Sequence, residues 1–188
     1  MGHSQAEKAQ SRERILAEAA RQVRSDGLES VSVGALMKSA GLTHGGFYGH
    51  FENRQALLTE ALERALQDGE AKAQDPSLGF EDMVRGYLSR SHRDGRDSGC
   101  GVAALVCDAA RADEPARAVM SDHVDSFIAT LARTLDGDEE RAMLAVSALV
   151  GGLALSRVMT DPARSDLMLK AVRRGLSALA NDGMAEPT

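Results

Sequence analysis

The chain has 188 residues, 43% of them hydrophobic and 27% charged, with a formal net charge of −6, a balance too apolar for a disordered chain and ordinary for a globular one. Two cysteines, Cys100 and Cys107, give no disulfide framework. The polar stretch 5–14 offers no secretory leader, and the longest apolar run, 142–155, is broken by Ser147, Gly151 and Gly152, so a cytoplasmic protein without a membrane span is expected.

The charge is unevenly placed. Residues 1–64 carry eight Lys/Arg and eight Asp/Glu, so that segment is neutral and the whole −6 lies beyond it. An acidic body behind a neutral head would turn the head towards nucleic acid, which is weak support for DNA binding.

Strand signals are almost absent, and helical periodicity runs throughout, so the expected fold class is all-α. Ile15, Leu16, Ala19, Ala20 and Val23 line one face of a first helix, which ends before Gly27. A short helix follows from Ser32, a candidate N-cap, to Ala40, with Gly41 stopping it. A second short helix runs from Thr43 to near His50. Asn53 then caps a long helix with Leu57, Leu58, Ala61, Leu62, Ala65 and Leu66 inward. Asp75-Pro76-Ser77 interrupts it. The expected division is a DNA-binding head over 5–52, a connecting long helix over 53–75 and a helical body over 76–182. Within the body, helices are expected near 79–92, 100–111, 115–135, 138–160 and 163–181, separated by Asp, Gly and Pro clusters. The stretch 142–159 is apolar almost all round and must be buried on more than one side.

Residues 32–58, SVGALMKSAGLTHGGFYGHFENRQALL, carry the functional signal. Two short helices joined by a tight glycine turn form a DNA-reading unit whose second helix enters the major groove. Leu36, Ala40, Leu42, Phe47 and Phe51 can fix the two helices against each other, leaving Thr43, His44, Gly45, Gly46, Tyr48 and His50 outward. Gly45 and Gly46 are poor helix formers, useful where a backbone must approach another surface closely. Taken alone, they read equally well as a flexible loop.

The run GLTHGGFYGHFENRQALL resembles the signature of the TetR/AcrR family of bacterial repressors, in which an aromatic-Tyr-x-His-Phe core follows a Gly, small apolar, Thr/Ser start. The likeness spans the first quarter to third of the chain; beyond it only length and helix count agree. The resemblance implies an N-terminal three-helix helix-turn-helix head and a C-terminal ligand-binding and dimerisation body. It implies phosphate contacts from Ser32, Thr43, Tyr48 and His50, protonated His50 adding charge, and a phosphate-facing cation at Arg54, where relatives carry Lys. His44, Gly45 and Gly46 fall at the family's base-reading positions. Gly34 stands where many relatives place a polar base reader, and Glu52 is acidic near the expected DNA surface. Direct readout is therefore thin, leaving operator shape, Lys38 and His44 to carry more of the specificity.

The resemblance further implies a homodimer on double-stranded palindromic operator DNA and a small-molecule inducer. Apolar stripes point to an interface of Leu149, Gly152, Leu153 and Leu155 beside Leu169, Val172, Leu176 and Leu179, the alternative being that one stripe is simply the body's own core. Met83, Tyr87, Cys107, Met120, Phe127 and Met143 are candidates to line a pocket for an apolar inducer, against a plain core role. Cys100 and Cys107, seven apart, have neither metal-ligand nor CxxC spacing; a thiol sensor is a lesser alternative, with Cys100 the better exposed. Neither the histidines nor the cysteines form a nucleophile-base or metal pattern, so no enzyme, metal or cofactor is expected. The expected function is a ligand-responsive repressor, the alternative a helical adaptor or sensor with weakened DNA binding.

Overall fold

The computed structural model describes residues 5–70 and 77–182. The described residues are helical throughout, with no strand. The interruption expected at Asp75-Pro76-Ser77 lies, apart from Ser77, outside them.

Helix α1, Gln5–Asp26, buries Ile15, Ala19, Ala20 and Val23. Gly27, at φ 89, ends it with its N–H on the Val23 carbonyl at 2.9 Å. After a 3-10 turn at Leu28–Ser30 comes α2, Val33–Ser39. Its end is a Schellman turn: Leu42 N–H donates to the Met37 carbonyl (2.8 Å) and Gly41 N–H to Lys38 (3.1 Å), with Gly41 at φ 73. This is the tight turn of the helix-turn-helix, and it requires a glycine. The next element is a 3-10 helix, His44–Gly49, where an α-helix was expected. Two glycines in its first turn weaken the α-helical alternative, and the tighter i→i+3 coil takes over, as in Gly46 N–H to Thr43 O at 3.0 Å. Helix α3, Arg54–Glu70, starts where Asn53 Oδ1 accepts from Ala56 N–H at 2.9 Å.

The body contributes α4 (Phe80–Tyr87), α5 (Arg90–Asp94), α6 (Gly101–Ala109), α7 (Glu114–Ala132), α8 (Glu139–Val158) and α9 (Pro162–Asp182). The single helix expected over 79–92 is two, because the backbone turns at Leu88 and Ser89 caps a fresh start, its hydroxyl accepting from His92 N–H. Asp113 and Asp138 cap α7 and α8 in the same way, and Pro115 sits in the first turn of α7.

Two apolar clusters result. The first joins the head, through Ile15, Leu36, Phe47 and Leu62, to Leu105 and Ala109 of α6 and Met120 of α7. The second lies among α4, the later half of α7, α8 and α9, around Leu88, Leu131, Leu149 and Leu153. Each fully buried Leu adds about 2 kcal/mol. Body helix α6 therefore belongs to the core of the head, and the two ends of the molecule share one packed interior.

The seam between α8 and α9 corrects the expected dimer interface. Leu149, Gly152, Leu153, Leu169 and Leu176 are buried within the protomer, and Val172 and Leu179 pack against the same cluster. At Gly152 the helices approach so closely that a Cβ would lie 2.9 Å from Val172 Cγ2. Of the expected set only Leu155 is exposed, and it shares its helix with exposed Met143, Leu144 and Val158, facing outward like Leu167 of α9. The stripe pattern carried enough apolar residues for two faces, and the intramolecular seam takes the more continuous one. By length and composition α8 would suffice to cross a membrane, a profile it shares with the core helices of soluble bundles, so the interruptions at Ser147, Gly151 and Gly152 do not lower it below that mark.

Candidate nucleic-acid interface and cavity

The aromatic motif divides cleanly between inside and outside. Phe47 and Phe51 are buried and stacked 5.7 Å apart, and Arg12 of α1 lies 4.7 Å over the Phe51 ring while pairing with Glu60. Those contacts lock the 3-10 helix between α1 and α3. Tyr48, set edge-on to Phe47 at 5.3 Å, is 70% exposed, a large aromatic turned to solvent with its hydroxyl free for a phosphate. Thr43, His44 and Gly45 are exposed beside it, and Ser32 and Lys38 are exposed on α2.

The two glycines gain a clear reading from what surrounds them. A Cβ at Gly45 would meet nothing, and one at Gly46 would make ordinary contacts with Thr43 Oγ1 (3.6 Å) and Met37 Cε (3.7 Å); neither has a positive φ. The fold itself does not need them. Their bareness serves whatever approaches from outside, as a close backbone passage along a groove requires. A Cβ at Gly34 would lie 3.6 Å from the His44 ring, so α2 and the 3-10 helix meet there.

Two expected phosphate contacts change character. His50 is half-buried, with Nδ1 buried and unbonded, and burial with nearby Lys8 and Arg12 holds its pKa below the ordinary histidine value. A protonated His50 is thus disfavoured in the free protein; a neutral ring can still donate from Nε2. Arg54 turns back on the chain: its guanidinium donates to the Val31 carbonyl (3.3 Å) and pairs with Glu29 (3.1 Å). It braces the loop before α2, a geometric role that the motif did not reveal.

A cavity of about 420 Å³ opens in the body between α4, α5, α7 and the start of α6. Met83, Tyr87 and Phe127 line it as expected. Cys107 and Met143 are exposed elsewhere, and Met120 is buried in the cluster shared with the head, so those three are not cavity residues. Their soft side chains carried no information about direction. Missed by the sequence reading were His92, Cys100 and Thr130, because the break at Leu88 that brings α5 to the wall has no composition signal. Cys100, expected to be exposed, is half-buried in that wall.

The wall is ordered by His92. Its Nδ1 donates to the Tyr87 carbonyl at 2.6 Å and its Nε2 accepts from the Cys100 N–H at 2.9 Å, a pairing that requires the Nδ1-protonated neutral ring. The Tyr87 ring packs edge-on to His92 (4.7 Å) and against Phe127 (5.7 Å). Its hydroxyl is fully buried without a hydrogen-bond partner; Cys100 and Arg157 are near enough to act on it electrostatically, but neither is bonded to it. Burial pushes the phenol well above its ordinary pKa, so it stays a donor. Arg157 donates to the carbonyls of His92 and Arg93 and holds α5 on α8. Among the described residues, no group of three His, Cys, Asp or Glu side chains is placed to hold a metal ion.

A glycine-turned helix pair with an exposed Tyr-Thr-His face, set on a helical body, defines a DNA-binding transcriptional regulator of the helix-turn-helix class. Residues 15–61 match the family described as bacterial regulatory proteins, tetR family. Solved structures agree over nearly the whole chain. E. coli NemR in its reduced form has 19% identity and a TM-score of 0.74, covering 90% of this chain and 96% of that one. A TetR-family regulator from Streptomyces coelicolor has 22% identity and a TM-score of 0.71, covering 98% of each. A TetR-family regulator from Cytophaga hutchinsonii has 18% identity and a TM-score of 0.72, covering 95% and 98%. At these identities the solved structures speak to the fold alone. No curated protein matches the chain. By its head and its fold, the chain is a TetR/AcrR-family regulator.

Proposed function

We propose that this regulator is a repressor that binds a palindromic operator as a homodimer and is released when a small, mainly apolar molecule fills the cavity of the body. The observation that carries this reading is the span of α6. Cys100 and Gly101 at its start line the cavity, and Asp108 near its end accepts the Leu28 N–H of the head at 3.1 Å. One short helix thus touches both sites, and a ligand that shifts it changes the head by its differential affinity for the two arrangements.

On the DNA side, Thr43, Tyr48, Ser32 and neutral His50 would position the head on phosphates, with Lys38 and His44 nearest to reading base edges. Arg54 contributes by bracing the loop. A two-fold dimer would set two such heads in successive major grooves, about 34–36 Å apart. The open apolar residues of α8 and α9 would supply its interface.

The test is a gel-shift against the DNA upstream of the protein's own gene, at two salt concentrations, beside a Tyr48→Ala, His50→Ala variant. Specific, salt-sensitive retention lost in the variant is expected. A folded dimer that retains no candidate promoter DNA would favour an adaptor or sensor.

A further inference from the structure

The cavity's chemistry narrows the class of molecule it can hold, an inference that rests on the ligand-responsive reading above. Its apolar wall is Leu66, Met83, Phe127, Leu131 and Leu149, with the Tyr87 ring. No Lys or Arg lines it, and the sole carboxylate in its lining is Asp82, which is exposed and paired with Arg85 at 3.4 Å. An anion would be desolvated there without a counter-charge, and a cation would find its partner only at the rim.

Its polar groups are mostly spent. Both ring nitrogens of His92 are committed to Tyr87 and Cys100, and the Ser89 hydroxyl takes the His92 N–H and meets Ser91 Oγ at 3.0 Å. The Tyr87 hydroxyl differs. It is completely buried and unbonded, a state that costs free energy in the empty protein and that natural interiors avoid. We infer that the cavity takes an uncharged, largely apolar molecule bearing a hydrogen-bond-accepting oxygen, a ketone or similar carbonyl, which receives the Tyr87 hydroxyl. The raised phenol pKa agrees, since the group remains a neutral donor across the physiological range.

The probe is prodan, an uncharged dimethylaminonaphthalene ketone, compared by fluorescence titration with its acyl-free parent and with dimethylaminonaphthoate. Wild-type protein is expected to bind prodan saturably and more tightly than either relative. Tyr87→Phe should weaken prodan by about 3- to 10-fold and leave the acyl-free compound unchanged. It should also raise the melting temperature of the empty protein by about 2–4 °C, because an orphaned hydroxyl is removed. A hydroxyl with a structural partner would give a lower melting temperature instead, and that result overturns the inference. So does tighter binding of the naphthoate, equal loss for both neutral probes, or no saturable prodan binding by folded wild-type protein. Adding prodan to the gel-shift separates the two readings. Tyr87-dependent binding that leaves DNA retention intact keeps the ligand class and removes the inducer role.

Discussion

The Asp108 carboxylate sits directly beneath Gly27: one oxygen accepts the Leu28 N–H at 3.1 Å, and a Cβ at Gly27 would lie 2.6 Å from the same oxygen. A body helix thereby holds the turn that leads from α1 into the DNA-reading unit. Asp108→Ala should cost about 1–2 kcal/mol, because the Leu28 N–H loses its acceptor in a partly buried setting. Gly27→Ala should cost more, since its φ of 89 is strained for alanine and the methyl group meets the carboxylate. The double variant should be less destabilised than the sum, as removing the carboxylate relieves the clash. Urea unfolding of the four proteins measures this; strict additivity would show that the two groups are uncoupled. In the proposed switch, Asp108→Ala should also blunt the loss of DNA retention on ligand addition.

Tyr48 gives a prediction in which stability and binding part company. Its ring is mostly exposed and touches the core only at the Phe47 edge, so Tyr48→Phe should change the melting temperature by no more than about 1–2 °C. Losing a phosphate contact should weaken DNA binding at low salt across all sequences rather than at one base. Lys38→Ala, which removes an exposed cation, should flatten the salt slope by about one unit if Lys38 meets a phosphate. A change confined to one operator position would place it on a base edge instead.

His50 supplies the pH prediction. Its folded pKa is depressed, so the unfolded chain takes up the proton first as pH falls. The sign follows: His50 adds nothing to pH dependence well above about 6.5, and below that value it lowers stability progressively. An NMR titration of the free protein should place the His50 midpoint beneath the ordinary histidine value. In urea unfolding, His50→Gln should lose less stability than wild type between neutral and mildly acid pH. A midpoint at or above the ordinary value would mean that the ring is not desolvated between α1 and the 3-10 helix.

Much of the head was legible because its devices are local. Gly27, Gly41 and Asn53 act within a few residues of their own positions, and Phe47 and Phe51 face inward as their spacing implies. The 3-10 form of His44–Gly49 was less so, since two glycines shift a balance of tenths of a kcal/mol per residue. Arg54 was misplaced because its partners, Val31 and Glu29, lie more than twenty positions back and share no periodicity with it. The cavity was half visible: Tyr87 and Phe127 are apolar residues on helices, whereas His92 and Cys100 arrive through a helix break and a loop. An apolar count cannot divide α8 into two faces. Only the approach of Val172 to Gly152 shows which side α9 occupies.

That division makes the dimer testable residue by residue. Leu155 and Val158 are 52% and 74% exposed on the side of α8 that α9 leaves open, with Leu144 two to three turns earlier on the helix. Leu155→Glu with Val158→Glu should leave the protomer folded, because neither side chain belongs to its core, yet should shift the protein to monomer in analytical ultracentrifugation. DNA retention should fall with it, since a lone head keeps only half of a two-fold site. Leu153→Ala offers the contrast. It lies in the intramolecular seam and should destabilise the fold by about 2–5 kcal/mol, with assembly affected only through that loss. A Leu155→Glu, Val158→Glu protein that stays dimeric would move the interface off this face of α8, leaving Leu167 and its neighbours on α9 as the surface to vary next.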